Sequence, residues 1–162
     1  MLKIRSTLDL GSHEDRAFWA LILLLYFSVS RKGDNIPETR RKFKIGHHAT
    51  KGCITIQNGV DGRYMVLERT DDKTSKLGGA FVGKPMPEVN TQLCAFTAIK
   101  KLNEGDQVDA GENEKLIPLF RHTNKDPITG PGLLSFLRKK LKDIGEVPKH
   151  YGTNSLTLVW GF

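Results

Sequence analysis

The stretch Arg16-Ala17-Phe18-Trp19-Ala20-Leu21-Ile22-Leu23-Leu24-Leu25-Tyr26-Phe27-Ser28-Val29-Ser30-Arg31 decides the fold. Its apolar run, Ala17 to Phe27 and on past Ser28 to Val29, falls short of the roughly 20 residues a membrane span requires, so it reads as a core helix. Apolar side chains cover it almost all round from Phe18 to Phe27, which predicts packing on several sides. Gly11 breaks the chain before it and Ser12 is the expected N-cap, with Asp15 three residues on as a weak capping box. Glu14 and Asp15 complement the positive helix end.

Around this helix, 162 residues are enough to bury a core, and 38% hydrophobic with 27% charged residues is a globular composition. Wholesale disorder, collagen-like sequence and a disulfide-dense scaffold are excluded on those grounds. The expected organisation is a single partial domain over residues 1–162, with 1–11 as a flexible lead. Lys and Arg number 25 against 18 Asp and Glu, and the net charge of +7 favours a polyanionic partner. Cys53 and Cys94 each sit in an apolar stretch, no signal peptide is read upstream, and reduced, buried thiols are expected.

Downstream of Arg31, Lys32-Gly33-Asp34-Asn35-Ile36-Pro37 reads as a turn, followed by an exposed basic loop with Arg40, Arg41, Lys42 and Lys44. From Arg31 to Lys51 seven basic residues (Arg31, Lys32, Arg40, Arg41, Lys42, Lys44, Lys51) stand against two acidic ones (Asp34, Glu38). Cys53–Gln57 and Arg63–Glu68 are β-branched or aromatic runs separated by Asn58-Gly59 and Asp61-Gly62 turn signals, a hairpin pattern. A polar turn through Lys73 and Lys76 leads to a third strand near Ala80–Val82, then to Pro85 and Pro87. A second helix is predicted from a cap at Asn90 or Thr91 through Leu102, burying Leu93, Phe96 and Ile99. The polar segment Asn103–Lys115 reads as surface loop. A third helix starts near Pro131, carries Leu134, Leu137, Leu141 and Ile144 on its core stripe and stops at Gly145. Its other faces carry Arg138, Lys139, Lys140 and Lys142. The fold class is therefore α+β, mostly helical, with a small three-stranded antiparallel sheet.

The basic loop and the basic helix face are the charge pattern of a nucleic-acid binder, with a merely solvated helix face as the alternative. Three strings narrow the choice. The helix ending Ser30-Arg31-Lys32-Gly33-Asp34, the polar turn carrying Lys73-Thr74, and Leu133–Ile144 followed by Tyr151-Gly152-Thr153-Asn154-Ser155-Leu156-Thr157 occur in this order. Together they resemble the catalytic domain of tyrosine recombinases (phage-integrase-like), and among them the eukaryotic Crypton and DIRS mobile-element enzymes. The resemblance spans about residues 13 to 160.

What it implies is a recombinase catalytic fold without its C-terminal helices, acting on double-stranded DNA in breakage and rejoining (DNA recombination and integration). In that chemistry a tyrosine attacks a phosphodiester while arginines and a histidine stabilise the nonbridging oxygens and a lysine protonates the leaving oxygen. Arg31 would be the first phosphate-clamping arginine and Asp34 a supporting acid. Lys73 would be the leaving-group acid, a role for which Lys76 competes. Lys32, Arg40, Arg41, Lys42, Lys76, Arg138, Lys139 and Lys140 would contact DNA. Arg31 closing a helix C-terminus, and Lys73 as an ordinary turn lysine, are the structural alternatives.

The chain departs from the family at two positions: Asn154 stands where the box has histidine and Thr157 where it has the second arginine. The nucleophilic tyrosine is expected well downstream of that box, and Tyr26, Tyr64 and Tyr151 do not fit the role. The expectation is thus a catalytically inactive DNA-binding remnant of a truncated recombinase domain, with no cofactor, no membrane, intracellular and nuclear if eukaryotic, and doubtful as a homo-oligomer on DNA. The apolar tail Leu156–Trp160 is expected to lack partners. An unrelated small basic protein-interaction domain is the alternative. His47-His48 reads as a surface pair rather than a metal site, and Arg121-His122 as loop. No P-loop and no Gly-x-Ser-x-Gly elbow is present.

Overall fold

Nine consecutive residues of one helix, Ala17 to Leu25, are buried, and the remaining elements are arranged to cover them. The computed structural model describes residues 1–28, 30–69, 81–82 and 84–151. In chain order the helices are α1 (Leu2–Ser6), α2 (His13–Ser28), α3 (Lys32–Asn35), α4 (Ala95–Gly105) and α5 (Gly130–Asp143). The strands are β1 (Ile54–Gly59), β2 (Gly62–Arg69), β3 (Phe81–Val82) and β4 (Met86–Pro87). The all-round apolar surface of α2 has a physical counterpart on each side. Helix α4 packs along it. Phe18 stacks on Phe136 of α5 with ring centroids 4.1 Å apart. Residues 1–11, expected as a flexible lead, include α1, whose Ile4 is fully buried in the same core. One apolar side chain at the right phase is enough to dock that turn.

The class is α+β. β1 and β2 form the expected hairpin, in register from Ile54 opposite Leu67 to Gly59 opposite Gly62. The other edge of β2 takes β3 (Glu68 opposite Val82) and β4 (Met65 opposite Met86), all antiparallel. The sheet is three strands wide, with its third position shared by two short segments. No strand was expected at Met86–Pro87. Pro87 is tolerated on this edge, where a missing N–H breaks no interior ladder.

Two helix predictions need correcting. α4 begins at Ala95 rather than near Thr91, because the Cys94 sulfur accepts the Thr97 N–H at 3.3 Å and so caps the helix. In α5 the core stripe is Leu133, Leu137 and Leu141, while Leu134 is only half-buried. Adjacent leucines offer two phases to a three-four spacing, and burial in the core cluster selects one. Thr129 caps this helix, its hydroxyl accepting the Gly132 N–H at 3.2 Å, and Pro131 lies in the first turn. Gly145, at φ 80°, ends it in the left-handed conformation, and the Glu146 N–H returns to the Leu141 carbonyl at 2.9 Å.

The polar segment Asn103–Lys115 has no buried residue, as its polarity implied, whereas the chain after it turns into the core. Ile117, Leu119, Phe120 and Ile128 are buried, and the Lys51 N–H and Leu119 N–H exchange bonds with Ile117 O and Ala49 O at 2.9 and 3.0 Å. Among the described residues no helix is long and apolar enough to cross a membrane.

Candidate nucleic-acid interface

Arg31 does not close the long helix. α2 stops at Ser28, and Arg31 instead stands at the N-cap of α3 with its side chain in solvent. Its carbonyl accepts the Asp34 N–H and the Asn35 Nδ2 at 3.1 Å each, so the backbone, not the guanidinium, starts the turn. Two neighbours in the basic loop are engaged in ion pairs: Lys32 with Glu38 at 2.5 Å and Arg40 with Asp126 at 2.7 Å. Arg41 and Lys42, in a 3₁₀ turn at Arg40–Lys42, are exposed.

This loop is fastened to the start of α5. The Gly130 N–H donates to Pro37 O at 2.9 Å, and the Lys32–Glu38 pair lies so close over Gly130 that a β-carbon there would sit 2.7 Å from both charged groups. From Gly130 the helix carries the charge onward. At a rise of about 1.5 Å per residue, Arg138 stands about 12 Å along the axis. Arg138 and Lys139 are exposed on the face away from the leucine stripe. Lys140 is not: its ammonium donates to Thr7 O at 2.9 Å and lies 3.7 Å from Asp15, which fixes it against α1 and α2. Lys140 is thereby set apart from the exposed cations of this helix, since the long side chain finds two acceptors inside the protein. Among the described residues Arg31, Arg41, Lys42, Arg138 and Lys139 have no carboxylate partner. Lys73, Lys76, Asn154 and Thr157 lie outside the described residues, as does the tail Leu156–Trp160.

The strongest electrostatic feature was missed in the sequence. Lys51, whose side chain is 1% exposed, donates to Asn103 Oδ1 at 3.0 Å, to Asn103 O at 3.3 Å and to Asp106 O at 2.9 Å, and sits 3.2 Å from the Asp106 carboxylate. Arg121, expected in a loop, is equally buried and grips the same carboxylate through Nε at 2.8 Å and Nη2 at 3.2 Å. Burial pushes the Lys51 ammonium down, and the attraction of Asp106 only partly offsets this. Burial pushes the Asp106 carboxyl up, but the hydrogen bonds and charges of Arg121 and Lys51 outweigh it and hold it below the usual carboxylate range. The arrangement caps the last carbonyls of α4 with cations and ties three distant segments together. With the Lys51 ammonium and the Arg121 Nε and Nη2 committed inward, the cluster is structural.

His48 is buried and His47 half-buried, so the adjacent histidines are not a surface pair. The His48 ring stacks on Phe43 and its Nδ1 accepts the Lys44 N–H at 2.8 Å. His122 Nδ1 meets Glu14 at 2.8 Å and the Thr123 N–H reaches the same carboxylate at 2.9 Å, which pins the start of α2 to the 121–127 turn. Cys94 is a buried thiol as expected, whereas Cys53 is half-buried and donates to Thr50 O at 2.9 Å. Tyr64 and Tyr151 hold their hydroxyls against Gln57 and Glu146, at 2.6 and 3.1 Å. Among the described residues no group of three metal-ligating side chains converges. Compared with known proteins, the chain matches no family model, no curated protein and no solved structure.

Proposed function

We propose that this chain is a noncatalytic DNA-binding domain of tyrosine-recombinase type. One observation carries the reading. The exposed cations Arg31, Arg41 and Lys42 belong to a loop fastened at Gly130 to the start of α5, and that helix presents Arg138 and Lys139 away from its buried stripe. Cations that meet no carboxylate among the described residues are suited to phosphates along a duplex. The order of a buried helix, Arg31, an antiparallel hairpin and a leucine-striped basic helix supports the recombinase likeness, and that likeness supplies the choice of duplex DNA. Asn154 and Thr157 in place of a histidine and an arginine argue against strand cleavage, since loss of one preorganised charge-stabilising donor costs about 10² to 10³ in rate.

The test is duplex binding by fluorescence anisotropy over a series of salt concentrations. Affinity should fall steeply with salt, and R138A/K139A should reduce the magnitude of the log–log slope by about 1.8. Lys140→Ala should leave that slope unchanged, because its ammonium is already held inside the protein. Absent or salt-insensitive binding overturns the reading and leaves a protein-interaction domain with an incidental basic face.

A further inference from the structure

We propose that the outer edge of β1 pairs with the β1 edge of a second copy of this chain, joining the two sheets across a two-fold axis at Ile56. Among the described residues β2 is the only strand beside β1. In a hairpin closed by a two-residue turn the flanking pair, here Gly59 and Gly62, exchanges hydrogen bonds, and bonded pairs alternate from there along the ladder. Thr55 and Gln57 therefore bond to β2, while the N–H and C=O groups of Ile54, Ile56 and Asn58 point away from it. Such an edge is normally protected by a lysine, a proline or a bulge. Residues 54–59 hold neither a charge nor a proline, and their register with β2 is unbroken.

The side chains point the same way. Directly opposite residues share a face, so Ile54 and Ile56 lie on the side of Leu67 and Met65, both buried in the core. Ile56 is nevertheless 42% exposed, because the core-facing side of the sheet ends at β1. A second copy is selected over an unrelated peptide because each chain carries both halves of the contact. In an antiparallel ladder centred on Ile56, Ile56 meets its own counterpart, Ile54 meets Asn58, and every outward donor and acceptor of the stretch is matched. The same register carries the Val60-Asp61 turn of one copy to Gly52 of the other, where the Lys115 N and Cα lie 2.9 Å from the position of a β-carbon. Val60 is fully exposed, and Leu116, next to Lys115, is 52% exposed. Asp61 and Lys115 form no ion pair among the described residues. Glu114, the acid of the same turn, acts instead on the Lys51 ammonium. An exposed valine and acid thus meet an exposed leucine and lysine, twice by symmetry. A ladder this short makes a small interface, so the association is weak and reversible. It uses none of the cations assigned to DNA and stands or falls apart from that reading.

The test is sedimentation equilibrium of the full chain up to about 1 mM, with amide hydrogen exchange followed by ¹H–¹⁵N spectra at the two ends of the concentration range. The expected result is a monomer–dimer equilibrium in which the amides of Ile54, Ile56 and Asn58 slow about tenfold or more as the dimer forms, while those of Thr55 and Gln57 are protected throughout. Ile56→Lys should weaken dimerisation about tenfold or more, and continued protection of Thr55 and Gln57 in that variant secures its fold. Asp61→Lys should weaken it too, and adding Lys115→Asp should restore it. A chain that stays monomeric over the whole range overturns the proposal. So does a dimer in which the Ile54, Ile56 and Asn58 amides exchange freely, since another surface then holds it together. Protection of those amides at every concentration also overturns it, because the edge is then covered within one chain. A charge swap that fails to restore dimerisation overturns the register centred on Ile56.

Discussion

The Lys51 ammonium and the Asp106 carboxylate, 3.2 Å apart, are the centre of a buried charge cluster in which Arg121 holds the carboxylate from a second direction. Two cations share one anion, so the partners are not equivalent. Asp106→Asn leaves two buried cations facing each other without a counter-charge and should destabilise the fold by about 3–5 kcal/mol. Lys51→Met leaves the Arg121–Asp106 pair intact and strands only the carbonyls at the end of α4, for about 1–3 kcal/mol. Urea unfolding of both variants checks the ranking. Equal losses would mean that the carboxylate does not organise the cluster.

Acid should unfold the protein partly through Glu14 and Asp106. For Glu14, burial pushes the carboxyl up, but the Thr123 N–H and His122 outweigh it, and the folded-state pKa lies below the usual carboxylate value. Asp106 lies low for the reasons given above. A carboxyl depressed on folding contributes stability that is fully present above its unfolded pKa, about 3.9 for Asp and 4.3 for Glu, and is lost as pH falls through the lower folded value. Stability plotted against pH should therefore fall below about pH 4, and Glu14→Gln should make that fall shallower. An unchanged acid limb in the variant would remove Glu14 from the account.

Helix α5 tests the packing assignment directly. Leu133 is 0% exposed in the core, and its truncation to alanine should cost about 2–5 kcal/mol. Leu134, half-buried one turn-phase away, should cost clearly less on the same change. Thermal or urea unfolding of the two alanine variants decides it. The reverse order would restore the phase that the leucine spacing alone first indicates.

These contrasts mark where the sequence was legible. The run from Ala17 to Leu25 announced its own burial, and the hairpin followed from β-branched alternation broken at paired turn residues. Periodicity failed at Leu133 and Leu134, because two leucines in a row satisfy two stripes and only tertiary packing selects between them. The charge cluster left no local trace. Lys51 sits in a basic run and Asp106 in an acidic one, each the composition of a solvated surface, and their pairing depends on a chain path that no period records. For the candidate site, the basic loop and the α5 face were readable as charge. That Lys32, Arg40 and Lys140 are tied to Glu38, Asp126 and Asp15 was not, since each partner lies on a neighbouring turn or another element.

Two glycines separate close approach to backbone from close approach to a flexible side chain. A β-carbon on Gly52 would lie 2.9 Å from both the Lys115 N and Cα, main-chain atoms that move only if the 3₁₀ turn Glu114–Leu116 moves with them. Gly52→Ala should thus destabilise by about 1–3 kcal/mol, as overpacking does in a fixed interior. At Gly130 the obstructing atoms are the tips of Glu38 and Lys32, each 2.7 Å away, and both side chains can swing into solvent. Gly130→Ala should then change stability by less than about 1 kcal/mol, because an exposed ion pair is worth little. It should instead free the Lys32 ammonium beside α5. If the duplex lies along that helix, the salt slope of DNA binding should steepen by about 0.9 in this variant. A large stability loss at Gly130 would show that the loop-to-helix contact at Pro37 and Gly130 is packed differently from the geometry described above, and no loss at Gly52 would show that the Glu114–Leu116 turn yields.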